Sequence, residues 1–175
     1  FEQAIFRNLG VNEMADQLLG VEYLKKQDYV DSERIGIHGW SYGGFMTITM
    51  MLKNPGLFKA AIAGGPVTDW KYYEVMYEER YMDTPEENPD GYKNSSLMNY
   101  AKDLEGRLLI VHGAMDSTVV WQNSLSLVQK FIDEGKLVDY FVYPNQPHNN
   151  RGRAALHLYR KIEQYFNDHL WFLSN

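Results

Sequence analysis

The sequence predicts an α/β fold, a parallel sheet flanked by helices, and three observations carry that expectation. Short apolar, strand-like runs recur at residues 34–38, 58–63, 107–112 and 138–143. Helical runs or one long excursion separate each consecutive pair, as parallel strands require, because their crossovers need a dozen or more residues. Between the first strand and its helix lies Gly39-Trp40-Ser41-Tyr42-Gly43-Gly44, a glycine-rich strand-to-helix turn. With 175 residues, 45% of them hydrophobic, the chain is one domain by length and long enough to bury a core.

The elements follow in order. Residues 11–29 read as a helix, with Met14, Leu18, Leu19, Val21 and Leu24 forming an apolar stripe at i, i+3, i+4 spacing. Asp28 to Glu33 is the turn into the strand Arg34-Ile35-Gly36-Ile37-His38. The helix after Ser41 runs to Lys53, where Asn54-Pro55-Gly56 removes a donor and supplies left-handed freedom. Phe58 to Ala63 is the next strand, closed by Gly64-Gly65-Pro66. From Val67 to Tyr100 the chain reads as polar, aromatic and irregular, broken by Pro85, Pro89 and Gly91, with Asn94-Ser95-Ser96 capping a short helix. A strand at 107–112, a helix from Val119 to Gly135, a strand at 138–143 and a terminal helix over 153–170 complete the alternation. Its crossovers are expected to be right-handed.

Composition narrows the function. A net charge of −6 with both signs interspersed and no basic run argues against nucleic acid and anionic membrane surfaces. Without cysteine there is neither a disulfide framework nor a thiolate metal site, and no His spacing suits a metal, so no cofactor is expected. No apolar run reaches the ~18–20 residues of a membrane span. The 13 tyrosines make a polar-aromatic pocket plausible, although most are expected to pack with their tips at the surface.

The turn at 39–44 is a G-x-S-x-G elbow in the strand–turn–helix context that gives the motif its meaning. Gly39 and Gly43 are expected to leave room where a Cβ would meet backbone, and Gly44 to let helix and strand pack closely. Ser41 would stand above the sheet, and the Tyr42 amide at the helix N-terminus would face an oxyanion. Asp116 follows the strand at 107–112, and His148 follows the strand at 138–143. Each of the three thus lies past the C-terminal end of a strand, where open α/β sheets hold their sites. The order Ser41, Asp116, His148 is that of α/β-hydrolase triads, with His148 as base and Asp116 fixing its tautomer. Asp69 is a rival acid, ranked lower because it belongs to the excursion. His38 and His112 read as strand packing, and His157 and His169 as terminal-helix residues.

At this point the chain resembles a known family. Gly-Trp-Ser-Tyr-Gly-Gly at 39–44, His112-Gly113-x-x-Asp116 and Tyr-Pro-x-x-x-His at 143–148 resemble the prolyl oligopeptidase family of serine peptidases. Trp70-Lys71-Tyr72-Tyr73-Glu74 and Tyr77-Glu78-Glu79-Arg80-Tyr81-Met82 are similar to its dipeptidyl peptidase IV-like branch. Val67, Trp70, Tyr73 and Tyr77 fall roughly on one helical face, which packing on the sheet would also explain. The resemblance implies instead that they and Tyr42 wall a pocket for proline, with Thr118 and Val119 also at substrate-binding positions. Where the branch usually has Asn two residues after the acid, this chain has Thr118. A hydroxyl thus replaces the amide side chain that contacts the substrate carbonyl in that branch.

The resemblance implies the C-terminal portion of a single α/β-hydrolase catalytic domain spanning residues 1–175, with earlier strands and a β-propeller in a longer protein. A second oxyanion donor and an acidic anchor for the substrate amino terminus would then lie upstream of Phe1, and the chain alone would be inactive. The expected activity is a serine exopeptidase that releases X-Pro or X-Ala dipeptides through an acyl-enzyme. An acylaminoacyl-type peptidase or esterase of the same fold, and a non-catalytic binding module, are the alternatives. Self-association as a homodimer or larger is expected, through the edge strand at 34–38 or apolar surface such as Trp171-Phe172-Leu173. A periplasmic or secreted location is implied by the resemblance alone.

Overall fold

The computed structural model describes residues 2–171. Four strands, β1 (Gly36–Trp40), β2 (Ala60–Gly64), β3 (Arg107–Gly113) and β4 (Asp139–Tyr143), form one sheet in the order β1-β2-β3-β4. Every pairing is parallel. The helices are α1 (Asn12–Lys25), α2 (Tyr42–Lys53), α3 (Val75–Met82), α4 (Pro89–Ser95), α5 (Gln122–Asp133) and α6 (Arg153–Phe166), the last running into a π turn at Asn167–Trp171. The parallel α/β expectation therefore holds, and β1 is a sheet edge as expected. The strand boundaries differ: the first lies two residues later than read, because Trp40 still pairs with Gly64.

Side-chain alternation along β2 and β3 divides the core in two. Ala61, Ala63, Leu108 and Ile110 face one layer with Phe45, Ile48 and Leu52 of α2 and Leu127 and Phe131 of α5. Ala60, Ile62, Leu109 and Val111 face the other, with Leu158 and Tyr165 of α6. All of these residues are buried, and such period-two alternation inside continuous apolar runs is what a sheet covered on both faces requires. Alanine-rich β2 lets α2 lie close. A Cβ built on Gly44 would come within 2.8 Å of the Gly64 carbonyl oxygen, which is why that position carries glycine.

Three local readings are corrected. α1 stops at Lys25 rather than 29 and has no buried residue. Leu19 and Leu24 of its expected stripe are exposed, and Met14 packs against the core. The helix packs against α2. In the excursion, Pro89 and Gly91 break nothing: Pro89 starts α4, and Asn88 caps that helix by accepting from the Gly91 amide at 3.2 Å. Asn94 and Ser95 are the last turn of α4, and Ser96 gives no side-chain cap to the 3₁₀ turn Leu97–Asp103. Trp70, Tyr73 and Tyr77 likewise do not share one helix: a 3₁₀ turn holds Trp70, and α3 begins only at Val75.

Candidate active site

Ser41 sits where β1 turns into α2, with φ +61° and ψ −119°. That conformation is costly for any residue with a Cβ, of order 1–3 kcal/mol, and persists only where surroundings enforce it. Two backbone bonds do so here: the Ser41 amide donates to the Gly64 carbonyl at 2.8 Å, and the Ser41 carbonyl accepts from the Phe45 amide at 3.0 Å. Gly39 enforces it further, since a Cβ there would lie 2.2 Å from the Gly43 carbonyl oxygen. Gly43 itself differs from expectation, because its own Cβ position is open space. Its backbone, not its missing side chain, is what presses on Gly39. Tyr42 is the first residue of α2, so its amide has no acceptor within the helix and lies at the positive end of the dipole.

Asp116 and His148 are brought together. His148 Nδ1 donates to Asp116 Oδ2 at 2.7 Å, which leaves Nε2 as the acceptor of the ring. Asp116 Oδ1 accepts from the amides of Thr118 and Val119 at 2.9 and 2.8 Å. Burial of this side chain favours its neutral form. The hydrogen bonds from His112, His148 and the two amides outweigh that effect and hold the carboxyl well below the usual carboxylate range. The two loops also brace each other: the Ala114 amide donates to the Tyr143 carbonyl at 3.0 Å and the Met115 amide to the Gln146 carbonyl at 3.1 Å.

Ser41 and this pair both border the end of β2. Its amide bonds Gly64, and a Cβ on the next residue, Gly65, would sit 3.2 Å from His148 Nδ1 and 3.5 Å from Asp116 Oδ2. Trp40, one residue before the serine, donates its indole N–H to the His148 carbonyl at 2.9 Å. No hydrogen bond joins Ser41 to His148 among the described residues. Asp69, the rival acid, is turned elsewhere: it accepts from Ser96 Oγ at 2.8 Å and pairs with Lys71 at 3.3 Å.

The aromatic residues of the excursion cluster beside the elbow. Trp70 lies 5.7 Å from Tyr42, 5.7 Å from Tyr73 and 6.0 Å from Tyr77 between ring centroids, stacked on the last. Tyr73 and Tyr77 meet edge to face at 5.1 Å. Val67, Trp70 and Val119 are fully buried, whereas Tyr42, Tyr73 and Tyr77 keep partial exposure and Thr118 is exposed. Burial raises the Tyr42 hydroxyl's pKa, as does its hydrogen bond to Glu13 of α1, whose carboxylate also takes the Gly10 amide at 3.1 Å.

Sequence reasoning missed three members of this neighbourhood. Tyr81 extends the aromatic cluster at 4.8 Å from Tyr77, one helical turn on, a signal that was readable from spacing. Glu13 had no local signal at all. His112, read as packing, is buried against Asp116 itself, with Nε2 3.3 Å from Oδ2. Among the described residues no three His, Asp or Glu groups could hold a metal, and no helix is long and apolar enough to cross a membrane. Of the expected apolar end, Trp171 is exposed, with the Arg34 guanidinium 5.0 Å above its ring. Phe172 and Leu173 lie outside the described residues.

Known proteins match this arrangement. The family model described as the prolyl oligopeptidase family matches residues 1–171. A probable dipeptidyl-aminopeptidase B from Talaromyces stipitatus is 44% identical over 146 residues, which is 81% of this chain and 16% of that protein. Dipeptidyl peptidase 8 of Mus musculus is 38% identical over 155 residues, 86% of this chain and 17% of that protein. The crystal structure of Porphyromonas gingivalis dipeptidyl peptidase 4 aligns with TM-score 0.92 and 39% identity, covering 95% of this chain and 24% of that one. A candidate dipeptidyl aminopeptidase IV from Bacteroides ovatus aligns with TM-score 0.94 and 54% identity over the same shares. The chain thus spans about a sixth of the curated relatives and about a quarter of the solved chains.

Proposed function

The chain belongs to the prolyl oligopeptidase family, and from that premise we propose that it carries the reacting groups of a serine dipeptidyl peptidase specific for X-Pro and X-Ala amino termini. Ser41 Oγ attacks the carbonyl carbon of the second substrate residue, while His148 Nε2 takes the hydroxyl proton. The oxyanion accepts from the Tyr42 amide at the head of α2. Asp116, ionised and held by its hydrogen bonds, keeps the His148 proton on Nδ1 and stabilises the imidazolium. The C–N bond then breaks, His148 returns its proton to the departing amine, and the dipeptide remains as an ester on Ser41. Water attacks that ester, His148 takes the water's proton, and Ser41 leaves as the restored hydroxyl with the dipeptide released as an acid.

The aromatic cluster supplies the selectivity. Tyr42, Tyr73 and Tyr77 wall the slot for a five-membered ring, and buried Val67, Trp70 and Val119 hold those walls from behind. Thr118, exposed and with its amide on Asp116, offers the substrate a hydroxyl where the branch has an Asn side chain. The observation that supports the reading best is the 2.7 Å Asp116–His148 pair, which leaves Nε2 as the acceptor of the ring, on the same sheet edge as a serine in an enforced positive-φ turn.

The test uses the intact protein that carries this chain. Wild type is expected to react with a fluorophosphonate at Ser41 and to cleave a Gly-Pro chromogenic amide, and Ser41→Ala to lose both, turnover falling by on the order of 10⁶. Rapid hydrolysis of a short acyl ester with no action on Gly-Pro amides would move the assignment to an esterase or acylaminoacyl-type peptidase. Absence of labelling would leave only a binding module.

A further inference from the structure

His112, the penultimate residue of β3, has no exposed surface, and both nitrogens of its ring are engaged. Nε2 lies 2.9 Å from the Val119 carbonyl oxygen, and Nδ1 lies 2.7 Å from Ser124 Oγ of α5. A carbonyl only accepts, so Nε2 carries the hydrogen, and the Ser124 hydroxyl is the group able to donate to Nδ1. Nε2 also stands 3.3 Å from Asp116 Oδ2, the oxygen that receives His148 Nδ1 at 2.7 Å. Three N–H groups thus hydrogen-bond the carboxylate, His148 Nδ1–H on Oδ2 and the Thr118 and Val119 amides on Oδ1, and the His112 imidazole lies against Oδ2 as a fourth neighbour.

We infer that His112 is a positioning residue for the peptidase chemistry, acting through Asp116. Its N–H joins the carboxylate to the Val119 carbonyl, closing the turn from Gly113 to Val119 on itself. A carboxylate held only by the two Oδ1 amides could swing Oδ2 away from His148, and a side chain without solvent around it has no water to replace the lost donor. With the His112 N–H in place, Oδ2 stays aimed at Nδ1 of His148 and the reactive tautomer is kept. Among the described residues no contact joins His112 to Ser41, Tyr42, Tyr73 or Tyr77, and its bond to Val119 is to the backbone carbonyl alone, so its removal should slow the chemical step and leave substrate binding alone.

The inference rests on the serine-peptidase reading, and the experiment separates the two. In the intact protein, His112→Gln keeps an N–H near the Nε2 position, whereas His112→Phe and His112→Met remove it. Among variants whose thermal melts show them folded, the apolar pair is expected to lose about 10- to 100-fold in fluorophosphonate labelling rate and in kcat, at unchanged KM. His112→Gln should recover most of that loss. Wild-type labelling rates in either folded apolar variant, or a Gln variant as slow as both, would overturn the positioning role. Labelling without cleavage of a Gly-Pro amide would refute the dipeptidyl reading while leaving the His112 comparison decisive. A wild-type protein that does not label at all would overturn both.

Discussion

The backbone at Ser41 stores strain that can be measured by subtraction. At φ +61° and ψ −119° the residue occupies a region costing about 1–3 kcal/mol for anything but glycine. Ser41→Ala keeps the Cβ and therefore the strain, whereas Ser41→Gly removes it. Glycine also loosens the unfolded chain, which costs about 0.4–1 kcal/mol. The difference leaves Ser41→Gly more stable than Ser41→Ala by about 0.5–2 kcal/mol, or roughly 1–8 °C in Tm for a chain of this length. Both variants lose the hydroxyl equally, so that loss cancels. Urea unfolding of the two variants side by side gives the number, and neither should label with a fluorophosphonate. Equal midpoints, or a Gly variant weaker than Ala, would refute the claim that the turn is held against its own preference by Gly39, Gly64 and Phe45.

Three further outcomes are expected. Tyr77→Ala in the intact protein should lower kcat/KM for a Gly-Pro amide by about 1–3 kcal/mol more than for a Gly-Ala amide, because the lost wall contacts only the ring; equal losses would reduce the cluster to packing. Asp116 has a folded-state pKa below its unfolded value near 3.9, so its contribution to stability is complete above that value and is lost as pH falls through the acid range. Urea midpoints between pH 7 and pH 3 should therefore drop more steeply for wild type than for Asp116→Asn, and parallel slopes would contradict the hydrogen-bond account. The β1 edge, unpaired on one side among the described residues, should draw copies of the chain together, as sizing chromatography would report; a monomer at high concentration would count against that edge as the contact.

Much of this protein was legible locally. Four apolar runs separated by crossover-length segments determined a parallel sheet, because no shorter connection can join parallel strands. The glycines and Ser41 between a strand and a helix marked the elbow, although the Gly64 carbonyl that helps hold its backbone comes from the neighbouring strand. Asp116 and His148 were readable because loops after strand ends share one sheet edge in this architecture. Pro89 shows the limit of even local rules: the same residue breaks a helix or begins one, and Asn88, one position before it, decides which. Only tertiary structure placed His112 on Asp116, Glu13 on the Tyr42 hydroxyl and Trp70 at the centre of the aromatic cluster. It also left Leu19 and Leu24 in solvent despite their helical spacing. Periodicity tells which face of an element is apolar, but which neighbour meets that face depends on where distant segments come to rest, and no local pattern records it.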